Sequence, residues 1–188
     1  MESKFSRGLL WISFVVYMLF VIWIIGFKAN LDTIPAMLAH FKPLSIAERV
    51  GKDYIPFYSV ARSFEEGKYF DYQHLLNVLI YIPMGVYLPY LFTNIKRKYL
   101  ISFLIITFSS VIFELFQLFT GLGACDGTDW YCNTSGGVVG LILYALLHKR
   151  ISQKVFNGIV LVFTIILSPV VIFAIVNTIV KFDLYSLM

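Results

Sequence analysis

The sequence predicts an all-α, polytopic membrane bundle of about five transmembrane helices, with an interfacial helical segment outside the cytoplasm between the first and second. Three observations predict it. Of 188 residues, 59% are hydrophobic and only 14% charged, whereas soluble domains carry about 25% charge. Mean hydropathy is +0.80. Five stretches are long and apolar enough for a hydrocarbon core that needs about 20 residues. One domain covering 1–188 suffices for this length.

The first span is 9–27, read as an uncleaved anchor because its apolar run is too long for a signal peptide and no small-x-small site follows. The segment 30–73 carries helical spacing in Leu31, Ile34, Leu38 and Phe41, and Pro35 suits a first helical turn. Ser45-Ile46-Ala47-Glu48 matches a capping box, and Phe57, Val60, Ala61 and Phe64 form a further apolar stripe. Tyr54, Tyr58, Tyr69 and Tyr72 stand beside it, as expected of a segment at the membrane interface. The remaining spans are 74–92, 99–119, 129–147, which begins polar, and 155–180.

Charge sets the expected orientation. Lys4 and Arg7 precede the first span, Lys96, Arg97 and Lys98 link the second and third, and Lys149, Arg150 and Lys154 link the fourth and fifth. Only Glu2 opposes them, whereas basic and acidic residues balance over 28–71. Positive-inside bias puts the N-terminus and both basic loops in the cytoplasm, and the 121–130 loop outside. The net charge of +4 is a topology signal and not a nucleic-acid stripe.

The chain's polar residues concentrate in 108–140, FSSVIFELFQLFTGLGACDGTDWYCNTSGGVVG. Ionisable groups in membrane segments are costly and usually face a bundle interior or a wet cavity. On the third span Thr107, Ser110, Glu114, Gln117 and Gly121 recur at steps of three and four, which is one helix face. Glu114 then lies about 9 Å below the outer end at 1.5 Å per residue. On the second span His74, Asn77, Tyr81 and Gly85 share a face. Asp126, Asp129 and Asn133 stand at the entry to the fourth. The expectation is that three helices bring polar groups to the same side and depth.

Each residue also has a plainer role. Gly136, Gly137 and Gly140 suit close helix packing, with Gly85 opposite, and Pro83 would kink the second span. Asp126 and Asp129 suit a helix N-terminus, and Asp129 is either a cap or a functional acid. Glu114 either braces the bundle or contacts a ligand. His74 reads as an isolated interfacial histidine. Cys125 and Cys132 form a disulfide or remain two thiols. No His, Cys and Asp set has metal-ligand spacing along the chain, so neither metal nor other cofactor is assigned.

At these residues the sequence resembles the VanZ-like family of bacterial membrane proteins, most strongly over 54–144. Tyr54-Ile55-Pro56-Phe57 is similar to the family's hydrophobic-Pro-Phe element, and the run from Asn77 through Pro83 to Gly85 to its N-x-L-x-F-x-P-x-G stretch. Glu114-Leu115-Phe116-Gln117 matches E-x-x-Q. Asp126, Asp129, Asn133, Gly136, Gly137 and Gly140 match D-x-x-D-x-x-x-N-x-x-G-G-x-x-G. One position departs: where the family commonly has an arginine, three residues before the first aspartate, this chain has Gly123.

The resemblance implies a multi-pass protein of the bacterial cell membrane that confers or modulates low-level resistance to teicoplanin and related glycopeptides. The outward-facing cluster suits that setting, so Glu114, Gln117, Asp126, Asp129, Asn133 and Asn77 are expected to form an outer site, with membrane lipids and a lipid-linked cell-wall precursor or lipoglycopeptide as partners. Two alternatives stand beside this non-enzymatic reading. One is an intramembrane enzyme with Glu114 and Asp129 as acid and base. The other is a small lipid transporter, for which the spans show no internal repeat.

Overall fold

The computed structural model describes residues 4–27, 55–67, 72–120 and 125–186. The expected apolar stripe at 31–41 and the capping box at 45–48 lie outside these residues, as do Tyr54, Gly121 and Gly123. Among the described residues all regular structure is helical: α1 (Lys4–Phe27), α2 (Tyr58–Glu65), α3 (Tyr72–Leu91), α4 (Lys98–Thr120), α5 (Gly127–Leu147) and α6 (Gln153–Ser186). All but α2 are long and apolar enough to cross a membrane, and the chain is a multi-pass membrane protein. The helices fall into two compact units, one of Met1–Pro43 with Ile151–Met188 and one of Leu44–Arg150.

In the first unit α1 packs against α6 through side chains. Leu10, Ser13, Tyr17, Val21 and Ile25 are buried at steps of three and four along α1. On α6, Val160, Leu167, Val171 and Ala174 are buried at steps of seven, four and three. That seam is the expected product of apolar residues recurring near 3.5. Tyr17 and Phe163 set their rings 6.3 Å apart, and Thr164 donates to Ser13 across the seam. The opposite faces expose Trp11, Ile12, Ile165 and Ile166, as helices in lipid do.

The second unit is built on backbone approach. A Cβ at Gly136 would fall on the carbonyl oxygen of Val78, and one at Gly140 on that of Ile82. Gly85 presses likewise on the carbonyl of Gly137. Helices α3 and α5 therefore run parallel in van der Waals contact, as small residues permit. Gly137 turns toward the Ile106 side chain of α4. Ile106 with Gly137, and Ser110 with Asn133, pair in opposite order, so α4 is antiparallel to α5. Helix α3 stays helical through Pro83 and Pro89.

This topology brings the start of α3, the start of α5 and the end of α4 to one end of the unit. At the other end Lys98 donates to the Tyr144 hydroxyl at 3.1 Å and lies over the Tyr99 and Tyr144 rings. His148 stacks on Tyr144 at 4.9 Å. The acids and the bases of the spans thus occupy opposite ends of this unit.

Candidate functional site: a buried acid and imidazole cluster

Helix α5 begins where a polar side chain closes it. Asp126 has extended backbone, and its Oδ1 accepts from the Thr128 amide at 2.8 Å, an N-cap. The Asp126 amide in turn donates to Glu114 Oε2 at 2.8 Å, so the acid of α4 anchors the chain at the entry to α5. Asp129, in the first turn, is 2% exposed. Carboxylates at this position complement the helix dipole.

Helix α2 supplies the roof. Phe57 has φ 63°, the left-handed region, unusual for a bulky residue and a source of local strain. Its amide donates to Thr128 Oγ1 at 2.9 Å, and Ser59 Oγ lies 3.1 Å from the same hydroxyl. The Phe57 and Tyr131 rings meet at 5.2 Å. These contacts hold Ser59 over the first turn of α5.

His74, in the first turn of α3, points its Nε2 into this space. The nitrogen lies 3.5 Å from Ser59 Oγ, 3.6 Å from Asp126 Oδ2 and 3.8 Å from Asp129 Oδ1. The chain spacing of these residues hid the grouping. A buried Asp126 carboxyl would ordinarily titrate higher, and burial does push it up. The nearby His74 imidazole and the polar donors of Ser59 and Thr128 outweigh that and bring it down to about 2.

One turn deeper lie two buried amides. Asn133 is fully buried, and its Nδ2 donates to Ser110 Oγ at 3.0 Å. Among the described residues its Oδ1 has no hydrogen-bond partner, and neither has Nδ2 of Asn77, which is 7% exposed. Gln117 is buried at 1% exposure on the α4 face that carries Ser110 and Glu114. Tyr81 lies with its hydroxyl 3.4 Å from Ser109 Oγ. All six residues of the expected polar site are thus buried or half-buried on helices of the same unit.

The glycines lie in the α3–α5 contact described above, and Pro83 is inside α3. Cys125 and Cys132 are half-buried. With 127–132 helical, about 7.5 Å of rise separates Gly127 from Cys132. Cys125 thus stands just before α5 and Cys132 within its second turn.

A groove of about 420 Å³ also opens between α4 and α5, lined by Phe103, Thr107, Trp130, Tyr131, Thr134 and Val138 among others. Thr107 Oγ1, Trp130 Nε1 and Thr134 Oγ1 are buried without hydrogen-bond partners among the described residues. Its wall includes Trp130, the residue after Asp129.

Chemically, the cluster suits a bound cation or a hydrogen-bond donor better than acyl transfer. A Ser-His-Asp relay needs serine and aspartate on opposite imidazole nitrogens. Here Ser59, Asp126 and Asp129 all face Nε2. Sequence reading missed Ser59 and Thr128, small hydroxyls that carry no pattern, and it left His74 outside the cluster. The only available hint was that His74 shares a helix face with Asn77.

No solved structure matches the chain. It is 30% identical over 167 residues to "Protein VanZ" of Enterococcus faecium, covering 89% of this chain and 90% of that protein. A profile of the VanZ/LLP1 family matches residues 14–148, which include α2 to α5 and every residue of the cluster; the chain belongs to the VanZ/LLP1 family.

Proposed function

We propose that this protein is a VanZ-type resistance factor that lowers the action of lipoglycopeptides such as teicoplanin at the outer face of the cell membrane, without catalysing a reaction. The observation that carries this reading is the gathering of Glu114, Asp126, Asp129 and His74 at one end of the unit that holds α2 to α5, opposite the basic end marked by Lys98. Positive-inside bias assigns the basic end to the cytoplasm, so the acids face the compartment where drug and lipid-linked wall precursor meet. Family membership supports the drug class.

The cluster offers carboxylates to amines and hydroxyls of a ligand headgroup. The neighbouring groove, which begins beside Trp130 and reaches Val138, has the apolar lining suited to an acyl chain. A two-part ligand of polar head and lipid tail fits both.

The test is susceptibility to teicoplanin with and without the gene in a sensitive Gram-positive host, with vancomycin, which lacks the lipid tail, as control. The expected result is raised teicoplanin tolerance with little change for vancomycin. Equal susceptibility to teicoplanin with the protein abundant in the membrane would refute the reading.

A further inference from the structure

We infer that His74, Asp126 and Asp129 form a binding site for a divalent transition-metal cation, held by His74 Nε2 and one oxygen of each carboxylate. These donor atoms all lie within 4.8 Å of one another. The inference rests on their geometry and not on the resistance reading.

The distances favour a shared cation over a simple ion pair. A single imidazole N–H can be aimed well at one acceptor, at about 2.7–3.2 Å. Here three oxygens surround one nitrogen at 3.5, 3.6 and 3.8 Å. Ligand atoms about 2.1 Å from a common ion are about 3.4 Å apart in a tetrahedron and about 3.0 Å in an octahedron. Small side-chain rotations close the remaining gap. Imidazole with two carboxylates suits zinc, manganese, iron or cobalt better than magnesium or calcium.

The surroundings supply what such a site needs beyond its ligands. Glu114 fixes the Asp126 amide at 2.8 Å, and Thr128 holds Oδ1 of Asp126, which leaves Oδ2 facing His74. Partners of this kind orient metal ligands. His74 and Asp126 side chains are 13% and 15% exposed, so an ion has access. Independently, among the described residues Asn133 Oδ1 lacks a donor and Asn77 Nδ2 lacks an acceptor, each one turn below a ligand on its own helix. A metal-bound water, donating to the first and accepting from the second, would satisfy both. Three protein ligands leave room for it.

The experiment uses full-length protein in detergent, stripped with EDTA and titrated with zinc by calorimetry at neutral pH. Cobalt is then added in its place for an absorption spectrum. The expected result is one zinc per chain, a rise in melting temperature on zinc addition, and cobalt bands without thiolate charge transfer. His74→Gln and Asp129→Asn should each weaken zinc binding by about tenfold or more. The double variant Cys125→Ser, Cys132→Ser should bind as the parent does. Absence of saturable binding and of any zinc-dependent melting shift in the parent would overturn the site. So would His74→Gln affinity within about twofold of the parent, or loss of binding in the double cysteine variant. Should Asp129→Asn fail to fold, the parent titration and the partly exposed His74 still decide. Susceptibility is not read here, so this result and that of the resistance test are independent.

Discussion

The α1–α6 pair and the α3–α5 pair are both membrane-helix contacts, yet they are held together differently. The first interlocks side chains, with Tyr17, Val21 and Leu167 filling the seam. The second removes side chains from the contact, placing Gly85, Gly136 and Gly140 against carbonyl oxygens. Side-chain seams are available to any suitably periodic apolar helix, and many sequences satisfy them. Backbone contact fixes the register of two helices to within a fraction of a residue. The polar groups His74, Asn77, Asp129 and Asn133 sit on the helices of the second pair, where such registration aligns them. The difference teaches that the glycines serve the site through geometry.

The largest expected effect tests that contrast directly. Gly136→Ala and Gly140→Ala put a methyl group onto backbone atoms that cannot swing away, and each should destabilise by about 3 kcal/mol, the upper range for overpacking. Gly158→Ala in α6 meets nothing within 4 Å and should be neutral or stabilising by about 0.5–1 kcal/mol through helix propensity. Thermal unfolding of the detergent-solubilised variants measures both. Equal behaviour of the three alanines would break the comparison.

A second effect sharpens the polar side of it. Asp126 titrates at about 2, below its ordinary 3.8. As pH falls, the unfolded chain takes up its proton first, so this stabilisation is complete above about pH 4 and is lost toward pH 2. Asp126→Asn keeps a capping side chain but removes the charge. The stability gap between parent and variant should therefore be widest near neutrality and close on acidification. Melting profiles from pH 7 to pH 3 check this, and a constant gap would contradict it.

The smallest effect lies in the seam of the first unit. Ser13→Ala removes the buried interhelical partner of the Thr164 hydroxyl, which can then give its one proton to the Val160 carbonyl of its own helix. A loss of about 0.6 kcal/mol is expected, typical of interhelical hydrogen bonds in membrane proteins. Unfolding in detergent should show it, without change in drug susceptibility.

Much of the fold was legible in the sequence because bilayer thickness constrains helix length. The expected span 74–92 is α3 at Tyr72–Leu91, 99–119 is α4 at Lys98–Thr120, and 129–147 is α5 at Gly127–Leu147. Helical periodicity also marked the face of α4 that carries Ser110, Glu114 and Gln117, all buried. What periodicity along one helix cannot show is which residues of different helices meet. His74 finds its carboxylates only because α3 and α5 are parallel and in register. Ser59 reaches it because the left-handed Phe57 and the Thr128 hydroxyl dock α2 onto α5. The Lys98–Tyr144 contact at the other end was equally hidden, since a basic loop residue reads only as a topology signal.

The central claim is that the buried acids act on a ligand and do not merely brace the helices, and Glu114→Gln tests it most directly. Glutamine keeps a carbonyl oxygen to accept from the Asp126 amide, as Glu114 Oε2 does, and removes the cost of a buried charge. Membrane abundance and melting temperature should therefore match the parent. The account predicts loss of teicoplanin tolerance in that variant despite normal abundance. Parental tolerance at normal abundance would contradict it.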